Sequence, residues 1–154
     1  MDALIFRIRV TALWLAVAIA ATASFLLYMY MPGALEELLA GEMEGETLTD
    51  ANLFLLAAFV VIPLVMAGVA LLVSDRVNRY ANLIAGTAFG LFGVFAVVSH
   101  VLDDGFNVHV LMAALGGAGA LLIAGLSLAA LRHPTSEPAT PASEPSRPHE
   151  ATST

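Results

Sequence analysis

Long apolar runs alternate with short polar breaks along almost the whole chain. Residues 10–31, 51–74, 80–102 and 106–131 are four stretches without a single charged side chain. Each holds about 22 to 26 residues. At about 1.5 Å of rise per residue, a helix of that length reaches roughly 33 Å or more, enough to cross a hydrocarbon core of about 30 Å. In lipid every backbone N–H and C=O must find its partner inside the segment, so such runs form helices. The alternation of apolar and polar positions that marks a membrane β-barrel is missing. The pattern therefore predicts an all-α fold, a four-helix up-down-up-down transmembrane bundle over residues 1–132, with a short outer surface helix and a disordered tail over residues 133–154.

Charge placement orients the bundle. Arg7 and Arg9 precede the first run, Arg76 and Arg79 separate the second from the third, and Arg132 and Arg147 follow the fourth. Residues 32–50 and 103–105 carry acids and no arginine. Arginine is held back from translocation, so all six predict one topology, with both termini cytoplasmic in a cell inner (plasma) membrane. Arg7, Arg9, the apolar stretch and Ala21-Thr22-Ala23 also have the layout of a secretory signal. The run continues to Met31, which favours a retained helix; cleavage after Ala23 stays open as the alternative.

The loops have patterns of their own. After Pro32-Gly33, residues 34–40 place Leu35, Leu38 and Leu39 on one helical face and Glu36 and Glu37 on the other, predicting a surface helix stopped by Gly41. Thr47-Leu48-Thr49-Asp50 reads as a capping box opening the second span. Gly105 suits a tight outer turn after Asp103 and Asp104. Short connections predict that successive helices pack side by side. From His133 onward five prolines alternate with Ser, Thr, Ala and Glu. That segment cannot bury enough surface to offset its ordering entropy. Its two PxxP matches are what any proline-rich tail produces.

Composition removes several chemistries. The chain is 59% hydrophobic and 12% charged, with a mean hydropathy of +0.86. It has no cysteine and no lysine, which excludes disulfides, thiolate ligands and Schiff bases. A net charge of −7 argues against a nucleic-acid surface. No charged residue lies inside a span, which counts against a proton pump or ion-coupled transporter.

What remains is a short set of polar and special positions. His100 and His109 bracket the outer turn with Asp103 and Asp104 between them, a set with the chemistry for a divalent cation or a proton switch, although no paired-histidine motif on one helix supports a metal. Asn78 and Asn82 lie one turn apart, able to bond facing helices or cap helix ends, and Asp75 and Arg79 have the spacing of an ion pair. Pro63 should kink the second span near Phe59. Small residues recur at four-residue spacing: Gly86 and Gly90; Gly116, Ala120 and Ala124; Ala16, Ala20 and Ser24. That spacing suits close helix packing within the chain rather than a nucleotide loop.

The segment Ser74-Asp75-Arg76-Val77-Asn78-Arg79-Tyr80-Ala81-Asn82-Leu83-Ile84-Ala85-Gly86 resembles the signature of a bacterial family of small four-pass membrane proteins, domain of unknown function 6326. Thr11-Ala12-Leu13-Trp14 and Ile62-Pro63 with Met66 fit the same pattern, and the likeness covers roughly residues 9–131. The resemblance implies that the inner turn, with Asp75, Arg76, Asn78, Arg79 and Asn82, is a fold-defining element. It also implies a glutamate before the Ile-Pro pair, where this chain has Val60-Val61, so no intramembrane acid acts here. It supplies no activity.

Three functions fit these observations. The first is a non-enzymatic packing or regulatory partner of another membrane protein or of itself, without cofactor. The second is a small carrier for an apolar or uncharged solute, which a cavity-free core would remove. The third is a redox or quinone-binding bundle built on His100 and His109.

Overall fold

A computed structural model describes residues 3–43, 45–103 and 105–132. The expected tail, residues 133–154, lies outside the described residues. Four long helices form the body: α1 Ala3–Met29, α3 Asp50–Leu72, α4 Asp75–Asp103 and α5 Val108–Arg132. All four are long and apolar enough to cross a membrane. A short α2, Ala34–Ala40, and a two-residue hairpin, β1 Glu42–Met43 paired with β2 Glu46–Thr47, fill the first long loop. The sequence signalled α2 but not the hairpin.

The helices begin and end where local chemistry dictates. Gly41 closes α2 at φ 78°, returning its N–H to Glu37 O and Leu38 O, a conformation glycine adopts without steric cost. Tyr28 Oη donates to Glu37 Oε2 at 3.0 Å and ties α2 to α1. The capping residue of α3 is Thr49, whose hydroxyl accepts from the Asn52 N–H, rather than Thr47. The expected capping box thus starts two residues late, because Thr47 is engaged in β2. α3 stays helical through Pro63, and the proline ring is fully buried.

Helices α1 and α4 start before the apolar runs that announced them, at Ala3 and Asp75 rather than residues 10 and 80. Their extra turns carry Arg7, Arg9, Arg76 and Arg79. Arg132 ends α5 at the same end of the bundle, where Arg79 reaches the last turn of that helix.

Packing departs from the expectation that successive helices lie side by side. α1 packs extensively against α3 and α5, and α5 against α4, whereas α3 and α4 meet at few residues. Two close-packed seams explain this. On α4, Gly86, Gly90 and Gly93 lie against α5 so tightly that a Cβ on Gly86 would sit 2.8 Å from Ala120 O, and one on Gly93 would sit 2.6 Å from the Gly117 Cα. On α1, Val17, Ala20 and Ser24 are buried against α5, where Gly116 and Gly119 admit them. Ala16, the first member of that spaced set, points outward instead. Small residues let backbones approach in lipid, where no hydrophobic force draws helices together. With α4 drawn onto α5, α4 reaches α3 through the aromatics Phe59, Phe89 and Phe92 and, at the arginine-bearing end, through Asn78. The bundle is a row, α3–α1–α5–α4, curved round so that its two ends nearly meet.

Candidate functional site: an apolar cleft with a histidine end

Two polar regions lie at opposite ends of the bundle, with an aromatic stack between them. At the arginine-bearing end, Asn78 and Asn82 are completely buried. Trp14 Nε1–H donates to Asn82 Oδ1 at 2.5 Å, Asn82 Nδ2 donates to Asn78 O at 2.7 Å and to Asn78 Oδ1, and Asn78 Nδ2 donates to Ala70 O at 2.9 Å. Side chains of α1 and α4 and the last turn of α3 are joined in one network, which satisfies every buried donor named. The same pair bonds α1 through Trp14 and holds the last turn of α3 through Ala70 O.

The charged members of the signature behave differently from their spacing. Asp75 does not pair with Arg79. It accepts from Arg7 Nε at 3.0 Å and Nη2 at 2.7 Å, while the same guanidinium donates to Leu71 O and Val73 O, each at 2.7 Å. One arginine on α1 therefore caps the end of α3 and holds the start of α4, using the planar fork that distinguishes it from lysine. Arg79 Nη1 donates to Ala130 O at 2.6 Å instead. That carbonyl would ordinarily receive the N–H four residues on, but position 134 is a proline and has none. Arg76 is exposed. Asp75, Asn78, Arg79 and Asn82 thus serve to fasten helix ends, whereas Arg76 does not.

Above this floor the four helices line a half-open cleft of about 350 Å³. Its wall is built from all four: Val17, Ala21 and Phe25 on α1; Leu55, Leu56 and Phe59 on α3; Phe89, Phe92 and Ala96 on α4; Met112 and Ala113 on α5; and Met43 from the hairpin. Trp14 stands edge-on to Phe89 at 5.8 Å between ring centroids, so the aromatic stack rises from the asparagine network to the cleft. Phe59, whose carbonyl loses its helical partner to Pro63, contacts Phe92 at 4.5 Å across the α3–α4 gap.

Among the described lining residues the polar side chains, Ser24, His100 and His109, all lie at the end away from the arginines. The two imidazoles, expected to meet across the outer turn, lie 5.1 Å apart with planes nearly perpendicular. His109 Nδ1 is 2.9 Å from Ser24 O and 2.8 Å from Ser24 Oγ, and Ser24 Oγ–H donates to His109 O at 3.3 Å. The Asp103 side chain and Asp104 lie outside the described residues. Among the described residues no group of three or more His, Asp or Glu converges as cation ligands do. Ser24, which anchors His109, counted in the sequence only as a small packing residue; a hydroxyl amid an apolar run was the signal to follow. The aromatic and thioether walls carry no sequence signal distinct from ordinary lipid-facing positions.

No curated protein and no solved structure matches the chain. The profile of the family described as "Family of unknown function (DUF6326)" matches residues 7–99, beginning at the arginine that clamps α3 to α4 and ending one residue short of His100. That match covers more than half of the sequence, takes in the whole Trp14–Asn82–Asn78–Arg7 framework, and stops before α5: the chain belongs to the four-pass membrane family DUF6326.

Proposed function

We propose that this protein is a small membrane carrier that takes an apolar or uncharged molecule from the bilayer into the cleft between its four helices. The observation that carries this reading is the cleft itself. A bundle whose task were only to pack would close over its core, and here a half-open cleft of about 350 Å³ remains between the helices. That volume lies within the range of small-molecule sites, roughly 300–1,000 Å³, and so does the lining, mostly apolar with a few convergent polar groups. Among the described lining residues there is no acid and no arginine, so nothing compensates a charged solute. Binding requires no covalent chemistry, and the reading is of a non-enzyme.

Sidedness follows from the arginines. With the Arg7–Asp75–Arg79 end cytoplasmic, the cleft lies in the outer half of an inner membrane, and residues 40 and 140 face opposite compartments. Reporter fusions at those two positions test this, and equal reporter signals from the same compartment contradict it. The packing-partner reading rests on the neutral, small-residue-rich helices, and α4 and α5 bury several of those glycines against each other. A redox bundle would use the same cleft and the same histidines.

Naphthalene is a suitable probe because it is rigid, uncharged and small enough for the cleft. Protein in lipid nanodiscs should take it up saturably, at one molecule per chain above partitioning into empty discs. Ala113→Phe and Ala21→Phe, which fill the cleft from α5 and α1, should abolish the saturable part while leaving the melting temperature within a few degrees. Uptake that never saturates, or that both filled variants retain, defeats the carrier reading.

A further inference from the structure

We infer that the molecule held in the cleft presents a hydroxyl group to His109, so that its class is an apolar alcohol, phenol or quinol; this rests on the carrier reading above. Ser24 O is a backbone carbonyl and can only accept. The ring nitrogen 2.9 Å from it, His109 Nδ1, therefore carries the hydrogen. The Ser24 hydroxyl accepts from the same N–H and sends its own hydrogen to His109 O, so both Ser24 groups and Nδ1 are mutually satisfied. In the neutral ring one nitrogen donates and the other accepts. His109 Nε2 is thus a lone-pair acceptor, and it has no hydrogen bond among the described residues.

The rest of the cleft sharpens the choice. His109 belongs to the first turn of α5, at the end of the cleft away from the arginines. An acceptor at the polar end of an apolar cleft pairs with a donor. At Nε2 itself a carbonyl or ether oxygen would set lone pair against lone pair, a carboxylate would add a charge, and a cation would find no acid on the described lining. A hydroxyl on a flat or branched apolar body satisfies Nε2 and leaves the remainder to Phe59, Phe89, Phe92 and Met112. Aromatic bodies have the advantage of edge and face contacts with those rings.

Four probes of nearly one size separate the possibilities: 1-naphthol, 1-methoxynaphthalene, 1,4-naphthoquinone and naphthalene. The chain has no cysteine to react with the quinone. Affinities are measured in nanodiscs and corrected for partitioning into empty discs. 1-Naphthol should bind about 10-fold more tightly than 1-methoxynaphthalene, the value of one hydrogen bond whose loss leaves a group unpaired. His109→Asn keeps a donor where Nδ1 stands and removes the acceptor at Nε2, and it should erase that preference while naphthalene binding persists. Equal affinities for naphthol, its methyl ether and naphthalene in the unaltered protein overturn the hydroxyl assignment and leave the carrier reading intact. A quinone bound more tightly than the naphthol also overturns it, since the site would then be a donor. Saturable binding of none of the four removes both readings together.

Discussion

Buried amides in a membrane bundle are tolerated only when each finds a partner, and here Asn82 is the centre of such a set. It accepts from Trp14 and donates twice to Asn78, which in turn holds Ala70 O. Asn82→Leu would strand the indole N–H and a carbonyl, each enclosed away from water. Interhelical polar contacts in membranes are worth on average less than in water, so the expected loss is about 1–2 kcal/mol. Unfolding by a denaturing detergent measures it, with Val94→Leu on the lipid-facing side as the neutral comparison. Equal stability of the two variants would mean that the network contributes shape alone. The residue scale is also where sequence reading was weakest. Asp75 and Arg79 have the spacing of a helical ion pair, yet Asp75 pairs with an arginine 68 positions away. A four-residue spacing reports which side chains can meet on one helix, and it is silent about a stronger partner brought by another.

At the scale of elements, the glycines decide which helices become neighbours. A Cβ on Gly86 would stand 2.8 Å from Ala120 O and 2.9 Å from Ala124 N, both backbone atoms that cannot step aside. Gly86→Val should therefore force α4 off α5 and cost about 2–3 kcal/mol, the upper part of the usual range for overpacking. Gly125 has nothing within 4 Å of the same position, so Gly125→Ala should be neutral or slightly stabilising through helix propensity. Thermal melts in detergent distinguish the two; an intact Gly86→Val would show that the seam is looser than drawn. Element identity was legible in advance because long uncharged runs have a single solution in lipid, and Gly41 and Gly105 marked turns that require positive φ. Adjacency was not legible. Spaced small residues announce that a face is close-packed without naming its partner, and the choice of α5 over α3 for the α4 glycine face is what keeps α3 and α4 apart.

For the whole molecule, one end is fastened and the other is left open. Arg7, Asn78, Asn82 and Arg79 bind helix ends together at the arginine-bearing side, while the opposite half holds the cleft and the paired imidazoles. No stretch of sequence encodes that cleft, since its wall comes from four helices and the hairpin that sequence reading missed. His100 and His109 were legible as a pair, and their use of Ser24 was not. The chain supplies its own reporters for the central claim. Met43 and Met112 line the cleft, whereas Met66 packs against the core cluster around Trp14 and Phe6. Methyl NMR of methionine-labelled protein in nanodiscs, titrated with naphthalene, tests the account most directly. The Met43 and Met112 signals should shift along saturating curves with a common midpoint while Met66 stays in place. Shifts of equal size at all three, growing without limit as the bilayer fills with probe, would mean that the helices enclose no site.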